Sequence, residues 1–162
     1  MKQFVFVLFI MASSLNSVYA ESDPMSGKKL EDIVREFTED KLEIENHVIK
    51  FMYKEVPLYC IYDESNDRMR IISPIKRYNQ VTEEEKNSMM EANFHRALDA
   101  RYASSGGVLY SAYIHPLSPL KKSDLLYGIY QVVSLFLTFG DEYSSSTLTF
   151  GDQGQEPLKE RI

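Results

Sequence analysis

The sequence contains little that would reveal a chemistry. Cys60 is its one cysteine, so an intramolecular disulfide is impossible and stability must come from packing. Lys and Arg number 18 against 24 Asp and Glu, and the net charge of -6 would repel a phosphate backbone, which argues against a nucleic-acid partner. No P-loop, dinucleotide fingerprint, nucleophile elbow or zinc-protease motif is present. The residues therefore predict no catalytic motif, no metal site and no cofactor.

Two partial metal patterns fail when they are followed along the chain. The turn from Asp63 to Asp67 has the acidic spacing of a calcium loop, but Arg68 stands where that loop needs glycine and no carboxylate closes it near position 74. Glu91 and His95 stand four residues apart and share a helix face, yet two ligands do not make a site. We interpret Glu91 and His95 as a solvated pair.

The longest apolar run lies at the N-terminus. Residues 4–12 are uncharged and follow Lys2, and the segment ends with Val18, Tyr19 and Ala20. This is the pattern of a secretory signal, and it is too short to span a bilayer. We expect residues 1–20 to be a signal peptide cleaved after Ala20, and the mature protein to be exported to a periplasm or to the medium without a transmembrane segment.

The rest of the chain has the size and composition of one folded domain. The sequence is 44% hydrophobic and 26% charged, which excludes disorder except at the ends. Polar residues 21–29 predict a flexible leader, residues 30–150 a single α+β domain, and residues 151–162 a loose C-terminal tail. Within the domain, Leu30, Ile33, Val34 and Phe37 have helical spacing. Alternating apolar and polar residues then predict strands at 47–54, 58–62, 68–73, 99–103 and 107–115, with Pro57 breaking the first two apart and a possible edge strand at 147–150.

Two more helices complete the predicted order α-βββ-α-ββ-α, with an antiparallel sheet of about five strands. Thr82 and Glu85 form a capping box that begins the second helix, whose predicted apolar face holds Met89, Met90 and Phe94. The third helix is predicted to be capped by Ser123 and Asp124 and stopped by Gly140. Its core stripe consists of Leu125, Ile129, Val132, Val133, Phe136 and Leu137.

The third helix carries more apolar residues than one buried stripe requires. Tyr127, Tyr130, Leu135 and Phe139 lie outside the stripe. Either other elements of the same domain cover them or another chain does. We predict that these four residues form a binding surface.

Three segments resemble a known family when they are taken together: residues 67–71 (DRMRI), 90–103 (MEANFHRALDARYA) and 114–118 (IHPLS). They are similar to YbjN-like proteins and, more remotely, to the chaperones of type III secretion. The resemblance implies a secretion-chaperone-like α+β fold that dimerises and binds extended polypeptide segments on apolar patches without chemistry. Those chaperones work in the cytosol, whereas this chain carries an export signal, so the resemblance supports the fold and the binding mode but not the cargo.

Three hypotheses follow. The first is an exported, noncatalytic, chaperone- or adaptor-like module that binds a polypeptide or itself as a homodimer. The second is a small enzyme or small-ligand binder that uses a cleft between sheet and helices, with polar groups from Arg68, Arg70, His95, Arg101 and His115. The third is a structural envelope protein that assembles with copies of itself.

Overall fold

Helices and strands follow one another along the chain largely in the order that the hydrophobic pattern predicts. The computed structural model describes residues 23–38 and 42–146. Within them, three helices and six strands follow in the order α-ββββ-α-ββ-α, so the α+β fold is confirmed with one additional strand. The helices are α1 (Gly27–Phe37), α2 (Glu83–His95) and α3 (Lys122–Leu137), and the strands are β1 (Glu43–Glu45), β2 (Val48–Tyr53), β3 (Val56–Asp63), β4 (Arg68–Arg77), β5 (Arg101–Ser105) and β6 (Val108–Pro116).

The strands form one antiparallel sheet in the order β1-β2-β3-β4-β6-β5. The predicted signal peptide (1–20), the possible edge strand (147–150) and the predicted tail (151–162) lie outside the described residues. None of the helices in the described ranges has the length and apolar character that crossing a bilayer requires.

Two-residue turns set the register of the first three strands. Asn46 and His47 have φ values of 49° and 63°, and Lys54 and Glu55 have values of 49° and 64°. Consecutive residues in the left-handed region form a type I′ turn, whose twist matches that of two paired strands. His47 is therefore a turn residue, and its predicted place in a strand is wrong because β2 begins at Val48.

Pro57 does not break the strand, contrary to the prediction. β3 begins at Val56, which pairs with Tyr53 across the turn. In an antiparallel pair, successive residues direct their backbone N–H and C=O groups to opposite sides of the strand, so those of Pro57 are directed away from β2. On that side, pairing between β3 and β4 begins only at Tyr59. The missing N–H of Pro57 therefore removes no bond from the sheet.

α1 and α3 pack on the same face of the sheet. The inward side chains of the strands alternate with outward ones, and the buried set includes Ile49, Phe51, Val56, Leu58, Cys60, Tyr62, Met69, Ile71, Leu109 and Tyr113. α1 adds Leu30 and Val34 to this core, and α3 adds Leu125 and Ile129. Cys60 is 1% exposed, and burial raises the pKa of its thiol to about 12, so it is a buried strand residue and not a thiolate at neutral pH.

α1 begins inside the predicted leader because its first residue is fixed by the sheet. Ser26 caps the helix, and the backbone N–H of Gly27 donates to Glu64 Oε1 at 2.8 Å. Gly27 lies against the Tyr62 ring so closely that a Cβ would stand 2.2 Å from Cε2. The hydroxyl of Tyr62 in turn donates to Glu31 Oε1 at 2.6 Å. Residues 27–29 are therefore the first turn of a helix that packs on the sheet, and the prediction that they belong to a flexible leader is wrong.

α2 starts as predicted and packs differently from the prediction. Thr82 Oγ1 accepts a hydrogen bond from the Glu85 N–H at 3.1 Å, and Glu85 Oε2 accepts one from the Thr82 N–H at 2.7 Å, which confirms the capping box. Met89 is buried, but Met90 and Phe94 are 69% and 75% exposed, so the prediction that these two residues lie on the packed face is wrong. They lie on another side of the helix because successive residues are rotated by about 100°.

α3 differs from its predicted ends by a few residues. Its N-cap is Lys121 and not Ser123, and Asp124 Oδ2 accepts a hydrogen bond from the Lys121 N–H at 3.3 Å. The helix ends at Leu137, before Gly140 takes a φ of 88° in the following turn. Leu125, Ile129, Val132 and Val133 are buried as predicted, whereas Leu137 is 58% exposed.

Candidate functional site

The four residues predicted to form a binding surface do not lie together. Tyr127 is 64% exposed, and Leu135 is fully buried. Tyr130 is 43% exposed and packs its ring edge-on against Phe37 and Tyr53, with centroid distances of 5.8 Å to each. The prediction that Leu135 belongs to a binding surface is therefore wrong. Tyr130 uses part of its ring to join α3 to α1 and β2 within the domain.

Phe139 belongs to a different cluster. It follows the end of α3 and contacts the rings of Tyr102 and Tyr143, with centroid distances of 6.0 and 5.6 Å. The Tyr102 hydroxyl also donates to the Leu135 backbone carbonyl at 2.8 Å. The surplus apolar residues of α3 thus pack on both flanks of the helix, against α1 on one side and against β5 and residues 139–143 on the other. Tyr127 alone of the four keeps most of its surface.

The sheet face opposite α1 and α3, which we call the open face, exposes two large hydrophobic side chains, Met52 and Ile114. Residues that face each other in the register share a side of the sheet, and the open side includes Glu43, Glu45, Val48, Lys50, Met52, Pro57, Tyr59, Ile61, Asp63, Arg68, Arg70, Ile72, Pro74, Arg101, Ala103, Tyr110, Ala112, Ile114 and Pro116. Apart from Ala112, these side chains are half-buried or exposed. Ile114 has 64% of its surface exposed, which is unusual for isoleucine on a central strand.

Ile114 is prominent because the edge strand stops short of it. β5 pairs with β6 from Arg101 opposite Ala112, so β6 has no β5 neighbour at Ile114. On its other side, Ile114 lies opposite Arg70, which lies opposite Ile61 on β3. The row Ile61, Arg70, Ile114 therefore crosses three strands of the open face.

Two depressions meet at Ile114, each of about 420 Å³. The first is a groove lined by Ile61, Tyr62, Asp63, Asn66, Arg68, Met69, Arg70 and Ile114. The second is a cleft at the end of β5, lined by Asp99, Arg101, Tyr113, His115, Asp124, Tyr127 and Gln131. Tyr127, the exposed member of the predicted surface, therefore borders the open face through the second depression.

The polar groups predicted for an enzymatic cleft are divided between separate places. Arg101 and His115 line the second depression, whereas Arg68 and Arg70 line the first. His95 lies on α2, where its ring packs against Phe94 at a centroid distance of 4.7 Å. The structure does not bring the five residues into one cleft.

Within the second depression, the polar groups are occupied by local hydrogen bonds. His115 Nδ1 lies 2.7 Å from the Pro116 carbonyl oxygen, within hydrogen-bonding distance. Gln131 Oε1 accepts from the backbone N–H groups of Asp99 and Ala100, at 3.0 and 2.9 Å, and its amide donates to Asp99 Oδ2 at 3.2 Å. These contacts tie α3 to the start of β5. No nucleophile-and-base pair is formed among them.

Within residues 23–38 and 42–146, no lysine or arginine of the open face forms an ion pair. The ion pairs of the described residues all use lysine: Lys28–Asp32, Lys29–Asp23, Lys76–Glu85, Lys86–Glu83 and Lys122–Glu36. The guanidinium of Arg68 donates to the Asp67 carbonyl at 3.2 Å, and that of Arg101 donates to the carbonyls of Leu98 and Ala100. Asp63 lies opposite Arg68, but it accepts hydrogen bonds from the side chain and backbone N–H of Asn66, which hold the pKa of Asp63 below its ordinary value.

Comparison with known proteins identifies the fold. No family model and no curated protein matches the sequence, so the YbjN-like resemblance gains no support from those comparisons. Solved structures do match. One comes from the HopA1–SchA chaperone–effector complex, with 11% identity and a TM-score of 0.53 over 68% of this chain and 88% of that chain.

Two further structures match to a similar extent. The Yersinia pestis type III secretion chaperone SycH, solved with a stable fragment of YscM2, has 8% identity and a TM-score of 0.55 over 70% of this chain and 99% of that chain. A chain of the ExsC–ExsE complex has 9% identity and a TM-score of 0.53 over 70% of this chain and 92% of that chain. The protein therefore has an α+β fold of the secretion-chaperone type.

Proposed function

We propose that this protein is a noncatalytic, chaperone-like binding protein that holds an apolar polypeptide segment on the open face of its sheet. The observation that carries the proposal is the exposure of apolar side chains around Ile114 on a sheet face that no helix of the described residues covers. The fold supports it, because similar structures were solved in a chaperone–effector complex and in a complex of a secretion chaperone with a protein fragment. Tyr127, at the border of this face, is kept in the proposed surface.

The physical argument is the cost of leaving such a face in water. Burial of apolar surface contributes about 25 cal/mol for each Å² removed from water. Ile61, Ile72 and Ile114 on neighbouring strands would recover that free energy if a partner covered them. Contiguous apolar patches of this kind are typical of interaction sites in soluble proteins.

An affinity capture with two matched variants tests the proposal. Ile114 and Leu137 are aliphatic residues of similar exposure, 64% and 58%, but Leu137 lies at the end of α3 away from the open face. The tagged protein is crosslinked briefly in its native compartment, and captured polypeptides are identified by mass spectrometry. We expect a polypeptide that the Leu137→Ser variant retains and the Ile114→Ser variant loses. Recovery of the same polypeptides with both variants would refute the proposed surface.

A second apolar patch supports self-association. Met90 and Phe94 stand four residues apart on α2, so they are neighbours on its exposed side. We propose that the protein forms a homodimer through this side of α2. Its mass, measured by light scattering after size exclusion, should fall to that of a monomer in the Phe94→Ser variant and stay dimeric in the Leu137→Ser variant. A wild-type monomer would refute the dimer.

Export is a separate proposal that rests on the sequence of residues 1–20. Mass spectrometry of the protein recovered from its source should give an N-terminus at Glu21. A recovered chain that still begins at Met1 would contradict the proposal. The relationship to YbjN-like proteins stays a prediction from the three sequence segments that carry it.

A further inference from the structure

The open face carries two arginines, Arg68 and Arg70, that form no ion pair within the described part of the chain, although Arg68 donates a hydrogen bond to the Asp67 carbonyl. Arg68 and Arg70 are exposed, and neither guanidinium has a carboxylate within ion-pair distance among the described residues. This is notable in a chain whose net charge is -6 and whose acidic residues outnumber its basic ones. Asp63, the nearest carboxylate in the register, is engaged by Asn66. The two arginines are therefore available to a partner.

Their position in the register decides what kind of partner fits. Arg70 lies between Ile61 and Ile114 on the neighbouring strands, and Arg68 follows two residues away on the same side of β4. An apolar segment that covers Ile61 and Ile114 must also cover Arg70. A covered guanidinium without a hydrogen-bond acceptor loses its hydration and gains nothing in return, whereas a carboxylate accepts from it in a bidentate, charge-assisted geometry.

We infer that the polypeptide bound on the open face combines apolar side chains with Asp or Glu, and that Arg68 and Arg70 select for these acids. The inference rests on the proposed function, since it names the chemistry of the partner at the same surface. The two arginines are about 6.6 Å apart along the strand, close to the rise of about 6 Å between residues i and i+4 of a helix. An amphipathic helix with a carboxylate pair at i and i+4 beside a leucine face matches this spacing.

A polypeptide is favoured over other anions by the surroundings of the two arginines. The turn beside them carries Asp63, Glu64 and Asp67, and the protein as a whole is acidic. Such a field repels an extended polyanion, such as a nucleic acid or an anionic membrane. One or two carboxylates set among apolar side chains bring less charge into this field, so they are repelled less than a polyanion, and Ile61 and Ile114 contact the apolar part.

Fluorescence anisotropy with designed peptides tests the inference. The probe is a fluorescein-labelled amphipathic peptide with a leucine face and one Glu pair at i and i+4, compared with the same peptide carrying Gln at both positions. We expect the Glu peptide to bind about tenfold more tightly to the wild type at low salt, and the difference to shrink as salt is added. The Arg68→Gln/Arg70→Gln double variant should bind both peptides equally.

A matched variant separates this effect from a general loss of positive charge. Arg35 is exposed on α1, on the opposite side of the sheet, so Arg35→Gln should preserve the preference for Glu. If both peptides bind equally to the wild type and Ile114→Ser weakens both, the inferred selection is refuted while the proposed function stands. If neither peptide binds and the capture experiment also recovers nothing specific to Ile114, the proposed function fails as well.

Discussion

The side chain of Asn93 on α2 takes the place of a neighbouring strand along the edge of β5, and its removal should have a measurable cost. Its Nδ2 donates to the Tyr102 carbonyl at 3.1 Å, and its Oδ1 accepts from the Tyr102 N–H at 2.8 Å. Tyr102 is only 6% exposed, so these backbone groups have little access to water. Leucine at position 93 keeps the helix and removes both bonds. At about 1 kcal/mol for each hydrogen bond, the free energy of unfolding should fall by about 2 kcal/mol.

Urea unfolding followed by circular dichroism measures this change. The control is Asn87→Leu, which makes the same substitution at an exposed position of α2 and shares any gain in helix propensity. The freed edge of β5 should also promote association of the Asn93→Leu variant, because an unpaired strand edge is a template for pairing. If Asn93→Leu is as stable as Asn87→Leu, then Asn93 does not support the edge strand and the reasoning is refuted.

Three further changes test the packing of the core. Ser73 and Ser111 face each other across β4 and β6, and their buried hydroxyls have no hydrogen-bond partner among the described residues. Alanine at either position should therefore leave the urea midpoint unchanged or raise the unfolding free energy by up to about 1 kcal/mol. A fall in the unfolding free energy of about 1 kcal/mol would contradict this prediction. Burial raises the pKa of Cys60 from 9.0 and that of Tyr62 from 10.0, each to about 12, so the unfolded chain releases these protons first and stability should fall as the pH rises from 9.0 to about 12. Urea unfolding at neutral pH and at a pH between 10.0 and about 12 measures this fall, and equal midpoints would contradict it. Gly27→Ala places a methyl group 2.2 Å from the Tyr62 ring and should lower the unfolding free energy by about 1–3 kcal/mol, whereas an unchanged midpoint would show that the ring moves freely.

Local signals in the sequence predict most of the fold. The capping box of Thr82 and Glu85 depends on residues three apart, and the structure contains both of its hydrogen bonds. The hydrophobic period gives the order of the helices and strands apart from the short strand β1, which it does not predict. The sequence does not predict the positions of Pro57 and His47, because these depend on turn geometry and on where the neighbouring strand begins.

The candidate site could be predicted only in part, because it is defined by strand register. Tyr127 is exposed as expected, but Leu135 is covered by contacts that a single helix does not reveal. The sequence predicts Ile114 only as a residue of a strand. The alternation of residues along β6 places it on the opposite side from Tyr113, yet its exposure follows from the end of β5, which is a tertiary fact. The sequence does contain a signal for the exposed pair on α2: Met90 and Phe94 are four residues apart and share one side of the helix, whereas Met89 lies on a different side.

Site-specific photocrosslinking tests the central claim most directly. A photoreactive p-benzoylphenylalanine placed at Ile114 samples the open face, and the same group at Leu137 samples an equally exposed site elsewhere. After irradiation in the native compartment, the account predicts a crosslinked polypeptide from position 114 and none from position 137. Crosslinks of equal yield at both positions, or none at position 114 while position 137 reacts, would contradict the claim that the open face of the sheet binds a polypeptide.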